Sequence, residues 1–165
     1  MIGFMAVGKT EVGRELAARL GRRFLDTDAL IEEESGRTIP QIFECYGEQY
    51  FRDLESKVIF SIDRFRPGEL VVSTGGGAVI RRANREFISR QGIVILLTAS
   101  PETLIRRIKN TKGRPLLEEG DLEEKIKNLQ AAREPYYRQC HLKIDTSGLG
   151  PEETAAKIIR LLELQ

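Results

Sequence analysis

The sequence has a single histidine, two cysteines and no tryptophan in 165 residues. The lone His141 has no metal-ligating neighbour at a suitable spacing, so zinc chemistry is not expected. Cys45 and Cys140 are far apart and form no CxxC pair, which predicts free thiols in a reducing cytoplasm. A disulfide between them is the open alternative. We interpret all three residues as structural.

A strong net charge and long apolar runs are also missing. The 26 Lys and Arg residues balance 25 Asp and Glu residues, which leaves a net charge of +1. Nucleic-acid-binding proteins usually have a larger basic excess. No apolar run reaches the roughly 18 residues that a membrane span needs, and Gly8-Lys9 comes too early for a signal peptide. These absences predict a cytoplasmic protein without a nucleic-acid or membrane partner.

The composition is that of a globular chain, with 41% hydrophobic and 31% charged residues, and the length predicts one domain over residues 1–165. Apolar, β-branched segments alternate with amphipathic ones, which favours an α/β fold with a parallel sheet and helices on both faces. The predicted strands cover residues 23–25, 70–74, 93–97 and 142–144. The predicted helices cover residues 12–20, 101–108, 122–133 and 151–162.

The periodicity stops between Lys109 and Leu122, where Gly113, Pro115 and Gly120 interrupt a charged segment. A loop of this length in a compact domain is often a functional lid. The plainer alternative is a surface excursion. We expect a mobile lid over about residues 111–120.

The segment Gly3–Thr10 fits the pattern G-x-x-x-x-G-K-[ST] of a phosphate-binding loop. Glycines let the backbone wrap around phosphate oxygens, and the positive end of the following helix favours anions. Lys9 would reach the β- and γ-phosphates of ATP, and Thr10 would offer its hydroxyl to Mg²⁺. Two features are unusual: only two residues precede Gly3, where a buried strand is expected, and Glu11 follows Thr10. We expect the Glu11 carboxylate to face away from the nucleotide or to weaken its binding.

Two further patterns suggest a phosphoryl-transfer site. Asp26 and Asp28 are two residues apart at the end of a predicted strand, so both carboxylates can face one site. The alternative is a turn or helix N-cap, with Asp28 as the cap. The run Gly75–Gly77 follows an apolar strand and would let the backbone approach a substrate closely, although a plain flexible turn has the same composition.

Taken together, the motifs resemble those of the shikimate kinase family in order and spacing, over nearly the whole chain. The six segments are residues 3–10, 25–28, 51–55, 75–79, 114–117 and 132–137. The resemblance implies a P-loop kinase fold with a five-stranded parallel sheet, a mobile substrate-binding region over about residues 32–60, and a monomer. It also implies transfer of the ATP γ-phosphate to the 3-hydroxyl of shikimate, in chorismate and aromatic amino-acid biosynthesis, with Mg²⁺ as cofactor.

The resemblance also implies a role for individual residues. Shikimate would be bound by Asp28, Arg52, Gly76 and Arg133, with both arginines on its carboxylate and Glu55 holding Arg52 in place. Lys9, Asp28 and Arg114 would be catalytic, with Asp28 as the base and Arg114 closing from the lid. Thr10 and Asp26 would form the Mg²⁺ site. Nucleotide-binding positions would be Ala6, Val7, Gly8, Lys9, Thr10, Glu11, Arg107 and Arg114, with Arg107 against adenine.

Simpler interpretations remain for some of these side chains. Arg52 could form an ordinary surface pair with Glu55, and Arg133 could lie at a solvated helix end. The stripe Ile39, Ile42, Phe43 and Tyr46 is interpreted as helix core. Two rival functions are a small-molecule kinase resembling gluconate kinase, and a module that binds ATP without turnover, for which Glu11 and the short segment before Gly3 are the support.

Overall fold

The structure is a computed structural model that describes residues 1–109 and 122–164. Its strands are β1 Ile2–Gly3, β2 Arg23–Asp26, β3 Leu70–Ser73, β4 Ile95–Thr98 and β5 Leu142–Asp145. Its helices are α1 Lys9–Leu20, α2 Thr27–Ser35, α3 Ile39–Phe60, α4 Arg82–Gln91, α5 Pro101–Lys109, α6 Leu122–Tyr137 and α7 Pro151–Glu163, with a short 3₁₀ turn at Ser61–Arg64. No helix within these two ranges has both the length and the apolar character needed to cross a membrane.

The described strands pair in parallel, as the alternating pattern predicts, but they form two sheets. One sheet has the order β1-β4-β5, and the other consists of β2 and β3. The prediction of one five-stranded sheet is therefore wrong for these residues. The reason lies in β1, which has only two residues and pairs with β4 alone. The two sheets are joined there by the Met1 amino group, which donates to the Val72 carbonyl, and by the backbone N–H and hydroxyl of Thr74, which donate to the Met1 carbonyl at 3.1 and 3.2 Å.

Side chains on β4 show that the three-stranded sheet is covered on both faces. Ile95 and Leu97 pack into the largest core cluster, which also contains residues of α1, α5, α6 and α7. Val94 and Leu96 point the other way, into a second cluster that contains Ile2, Val79 and Tyr137. Alternate residues of a strand face opposite sides of its sheet, so an all-apolar strand is buried on both. This arrangement confirms the prediction of helices on both faces.

Helix α1 begins at the phosphate-binding loop and ends at Gly21. Gly8 adopts φ 94° just before the helix, and Gly21 adopts φ 61° just after it, where its N–H caps the last turn. Val12, Leu16 and Ala17 are buried against the core. The predicted face and C-cap are confirmed, although α1 starts at Lys9, three residues before the predicted first residue.

Helices α2 and α3 form a third cluster that includes Ile31, Ile42 and Phe51. Helix α3 is broken at Gly47, whose φ of 78° and ψ of 174° are not helical. The stripe prediction is wrong for Tyr46, which is 48% exposed and stacks on Tyr50 with ring centroids 4.7 Å apart. The kink at the next residue ends the regular periodicity on which the stripe prediction depended.

Candidate active site

The phosphate-binding loop has a backbone that few residues could adopt. Ala6 has a positive φ of 62°, and Gly3 has a φ of 144°. A Cβ atom on Gly3 would lie 2.3 Å from the Leu97 carbonyl oxygen, so only glycine fits beside β4. Lys9 is buried, and its Nζ donates to the carbonyls of Gly3 and Phe4 at 2.9 and 2.8 Å. The loop therefore holds the lysine cation at the amino end of α1, where an anion is favoured.

Thr10 and Asp26 are in direct contact beside the phosphate-binding loop. The Thr10 hydroxyl donates to Asp26 Oδ2 at 2.7 Å, while Asp26 Oδ1 accepts from the backbone N–H groups of Asp28 and Ala29. Asp26, and not Asp28, is therefore the N-cap of α2. The prediction that both carboxylates extend from one strand is wrong. Asp26 ends β2, whereas Asp28 lies in the first turn of α2. Both nevertheless line the same cleft.

The donors at this point fit Mg²⁺ bound together with a nucleotide. A threonine hydroxyl and one carboxylate are hard oxygen ligands, and Mg²⁺ typically takes one or two protein oxygens together with substrate phosphates and water. In residues 1–109 and 122–164 no group of three or more His, Cys, Asp or Glu side chains could hold a metal. Thr10 and Asp26 would therefore hold the ion only with phosphate ligands present.

Asp28 has an unusual environment for a carboxylate. Burial, together with the nearby charges of Asp26 and Glu55, raises its pKa to about 6, although Lys9 and Arg52 oppose the shift. Its Oδ1 is buried and has no hydrogen-bond partner among the described residues. A carboxylate with a near-neutral pKa and a free oxygen can accept a proton at physiological pH.

Arg52 is buried in the cleft beside a fully buried glutamate. Its side chain is 8% exposed and that of Glu55 is 1% exposed, and Arg52 Nη1 donates to Glu55 Oε2 at 2.8 Å. The pair is thus not an ordinary surface contact. Burial raises the pKa of Glu55, and Arg52 opposes the shift. The exposed Glu48 also contacts Arg52, since its Oε1 accepts from Nε at 3.2 Å and from Nη2 at 3.1 Å.

Arg133 is 6% exposed, so it does not lie at a solvated helix end. Its guanidinium carbon is 5.7 Å from the centroid of the Phe4 ring. The following turn of α6 places Tyr137 so that its hydroxyl donates to the Gly76 carbonyl at 2.6 Å. Helix α6 and the glycine run are therefore joined beside the second buried arginine.

The glycine run is where the close approaches occur. A Cβ on Gly75 would lie 2.5 Å from Asp28 Oδ1 and 2.8 Å from Glu55 Oε1, and one on Gly77 would lie 2.3 Å from Arg52 Nη1. At Gly76, the residue named from the sequence, the nearest atom would be the Met5 nitrogen at 3.2 Å. All three glycines line the cleft, but the absence of a side chain matters most at Gly75 and Gly77.

These groups converge on one open cleft of about 370 Å³. The predicted site residues that line it are Ala6, Gly8, Lys9, Thr10, Glu11, Asp26, Asp28, Arg52, Gly76 and Arg133. Glu11 is exposed. A cleft of this volume that combines phosphate-binding backbone, arginines and a free carboxylate suits a small anionic molecule carrying a hydroxyl group.

Two predicted residues do not line the cleft, and a third falls outside the described residues. Val7 is buried in the core, and its carbonyl accepts from Thr146 at 3.0 Å. Arg107 donates to the Ala6 carbonyl at 3.3 Å and to the Thr146 carbonyl at 2.8 Å, and its contact with adenine stays a prediction. Arg114, together with the predicted lid over residues 111–120, lies outside the described residues.

Sequence reasoning missed several residues of the site. Thr27 is fully buried between the two aspartates, and its hydroxyl accepts from the Gly75 N–H at 3.1 Å. Glu48 contacts Arg52, and Tyr137 contacts Gly76. Thr27 and Tyr137 lie in two of the six segments that resemble the family, so the sequence offered a signal for both residues. Nothing in the local sequence connects Glu48 to the cleft.

A phosphate-binding loop and a carboxylate able to take a proton share one cleft of small-molecule size, which is the arrangement of a P-loop kinase that phosphorylates small molecules. Residues 5–163 match the family model described as "Shikimate kinase". The shikimate kinase of Pelotomaculum thermopropionicum is 44% identical over 163 residues, which cover 99% of this chain and 94% of that protein. That of Geobacter sulfurreducens is 46% identical over 158 residues, covering 96% and 86%. The chain belongs to the shikimate kinase family.

Solved structures agree with this assignment. The shikimate kinase from Acinetobacter baumannii in complex with shikimate has a TM-score of 0.94 at 41% identity, covering 99% of this chain and 90% of that one. A sugar kinase from Janibacter has a TM-score of 0.60 at 16% identity, covering 98% and 91%, which is a likeness of fold alone. The family predicted from the six segments is confirmed.

Proposed function

We propose that this chain transfers the γ-phosphate of ATP to the 3-hydroxyl of shikimate, giving shikimate 3-phosphate and ADP, in aromatic amino-acid biosynthesis. One observation carries the substrate assignment. Two buried arginines, Arg52 and Arg133, line the same cleft as Asp28 and the phosphate-binding loop. Arginines that line a cleft favour an anionic ligand, and a substrate carboxylate matches their fork geometry. Membership of the family supports the same substrate.

The nucleotide would lie with its phosphates over the loop and the amino end of α1. Lys9 would then exchange its contacts with the Gly3 and Phe4 carbonyls for phosphate oxygens. Thr10 and Asp26 would hold Mg²⁺, which when bound neutralises charge on the β- and γ-phosphates. The Lys9 cation stabilises the negative charge that spreads over the transferred group.

The acceptor would lie between the two arginines and Asp28. Arg52 and Arg133 hold its carboxylate, and the backbone at Gly75–Gly77 lets the ring approach without a Cβ in the way. The Asp28 carboxylate then accepts a hydrogen bond from the reacting hydroxyl, which turns its oxygen toward the γ-phosphorus. Orientation at both ends of a rigid ring accounts for most of the catalysis this site can provide.

The bonds balance as follows. The hydroxyl oxygen forms a new bond to the γ-phosphorus while the bond between that phosphorus and the β–γ bridging oxygen breaks. Asp28 takes the hydroxyl proton, and ADP leaves with the bridging oxygen. Because the pKa of Asp28 is about 6, the group is ionised at neutral pH and can later release its proton to solvent.

The test is an ADP-release assay with ATP, Mg²⁺ and either shikimate or gluconate. We expect rapid turnover of shikimate and little of gluconate, because an open chain loses more conformational entropy on binding. The variant Arg133→Lys keeps the charge but loses the bidentate fork, so KM for shikimate should rise roughly tenfold or more with little change for ATP. Arg138→Lys is the control, since Arg138 is exposed and directly follows the same helix.

Two outcomes would overturn the proposal. Faster turnover of gluconate than of shikimate would assign the chain to another kinase class. ATP binding without ADP release for either acceptor would indicate a nucleotide-binding module without turnover.

A further inference from the structure

The guanidinium of Arg52 already has a carboxylate on its side-on edge. Glu48 Oε1 accepts from Nε at 3.2 Å and from Nη2 at 3.1 Å. These two nitrogens form the side-on edge with which arginine binds carboxylates. Glu55 contacts the opposite nitrogen, Nη1, at 2.8 Å. The backbone at Gly77 covers one face of the group, because a Cβ there would lie 2.3 to 2.6 Å from three of its atoms. An anion must therefore approach along an edge.

The two glutamates differ in their freedom to move. The Glu55 side chain is 1% exposed and lies in the middle of the second half of α3, so it is held by packing. The Glu48 side chain is 55% exposed. It directly follows Gly47, whose non-helical φ of 78° and ψ of 174° break the helix. An exposed side chain beside a helix break can leave its partner at low cost, whereas a fully buried one cannot.

We propose that Glu48 is an internal stand-in for the substrate carboxylate, and that a carboxylate substrate displaces it from the Nε and Nη2 edge of Arg52. This inference rests on the proposed function. In the substrate-free chain Glu48 pairs the edge of Arg52 that Glu55 leaves open, since buried donors without a partner are costly. Because an anion must first displace Glu48, the apparent affinity for every anion is lowered. An anion that contacts Arg52 alone gains little over Glu48, whereas shikimate also contacts Arg133 and Asp28. Glu48 is thus a specificity-determining residue.

The variant Glu48→Gln tests this inference, because it removes the competing charge and keeps the side-chain size. We expect KM for shikimate to fall by roughly 3- to 10-fold, while kcat and KM for ATP stay within about twofold. Glu48→Ala should do the same. Glu44→Gln is the matched control, since Glu44 is an exposed glutamate on the same helix and its change alters net charge equally. Its KM for shikimate should equal that of the wild type.

A second measurement uses cyclohexanecarboxylate, a ring carboxylate without hydroxyl groups, as a competitive inhibitor against shikimate. It should inhibit Glu48→Gln several-fold more strongly than the wild type, because it no longer competes with an internal carboxylate. An unchanged or raised KM in Glu48→Gln would overturn the inference and make Glu48 a positioning residue for Arg52. Equal effects of Glu44→Gln would also overturn it. Failure of the wild type to bind shikimate would instead overturn the proposed function.

Discussion

Asp28 owes its chemistry to its surroundings. Its position in the first turn of α2 would ordinarily stabilise a charged carboxylate. Burial and the charges of Asp26 and Glu55 outweigh that effect and raise its pKa to about 6. The backbone of Gly75 packs so closely against Oδ1 that a side chain at this position would clash with it. The residue is thereby destabilised as a charged group and suited to accept a proton.

The first prediction concerns Asp28→Asn, which should stabilise the fold while removing the proposed base. Because the folded pKa of Asp28 lies above its ordinary value of 3.8, the charged form costs stability as the pH rises through about 6. At about pH 7.5 the free energy of unfolding of Asp28→Asn should exceed that of the wild type by on the order of 3 kcal/mol. Below about pH 4 the two should converge. We expect kcat to fall by on the order of 10² or more. Urea unfolding from acid to neutral pH, with the ADP-release assay, measures both effects.

Asp63→Asn is the control, because Asp63 is exposed and lies outside the cleft. Its kcat should equal that of the wild type. Retention of full kcat in Asp28→Asn would refute the role of Asp28 as base. Destabilisation at neutral pH would show that its environment does not disfavour the charge.

At the scale of elements, the two arginine-bearing helices are tied to one turn. Arg81, in the segment between β3 and α4, donates through Nη1 to the Arg52 carbonyl at 2.9 Å and to the Ser56 hydroxyl at 3.1 Å. Tyr137 ties α6 to the same segment through the Gly76 carbonyl. Arg52 and Arg133 come from distant parts of the chain, so their separation is set by these contacts.

The second prediction is that Tyr137→Phe weakens substrate binding more than catalysis. The change removes the hydrogen bond to Gly76 and should cost about 1 kcal/mol of stability. Arg133 and the glycine run then lose a shared contact, so KM for shikimate should rise roughly 3- to 10-fold while kcat changes less. Steady-state kinetics and thermal unfolding measure the two effects.

Tyr136→Phe is the matched control on the neighbouring position, whose ring contacts Arg85. It should leave KM for shikimate unchanged. If Tyr137→Phe behaved like Tyr136→Phe, the hydroxyl would have no part in positioning the site.

At the scale of the whole molecule, Thr146 connects the phosphate-binding loop to the sheet. It follows β5, is 1% exposed, and its hydroxyl lies 3.0 Å from the Val7 carbonyl and 3.1 Å from the Thr98 carbonyl. The same oxygen accepts from Arg107 Nη1 at 3.0 Å. One side chain thus joins the loop, the ends of β4 and β5, and α5.

The third prediction is that Thr146→Val destabilises the fold and weakens nucleotide binding. The substitution preserves the shape but leaves buried polar groups without a partner, so the free energy of unfolding should fall by about 1–3 kcal/mol. KM for ATP should rise several-fold, because the loop carbonyls lose their anchor, while KM for shikimate should change less. Chemical denaturation and steady-state kinetics check both.

Thr146→Ser keeps the hydroxyl and is the control. It should retain nearly wild-type KM for ATP and recover most of the lost stability. An equal loss in both variants would assign the effect to the missing methyl group rather than to the hydrogen bonds.

The sequence by itself determined the elements and most of the site's chemical groups. The strands at β2 to β5, the C-cap at Gly21 and the phosphate-binding loop depend on local periodicity and on a few residues close together in the chain. Such features are set by short-range sterics and hydrogen bonds, so they can be predicted from neighbours. Helix α4 was missed because its sequence is largely polar, with Phe87 and Ile88 as its only large apolar residues.

The tertiary structure alone decided how those groups act. The free oxygen of Asp28, the Glu48 carboxylate on Arg52 and the need for glycine at positions 75 and 77 all arise from approaches between distant segments. The division of the sheet also depends on whether a two-residue strand can pair on both sides. Burial and interatomic distance govern charge, pKa and close packing, and neither is encoded in the spacing of residues along the chain.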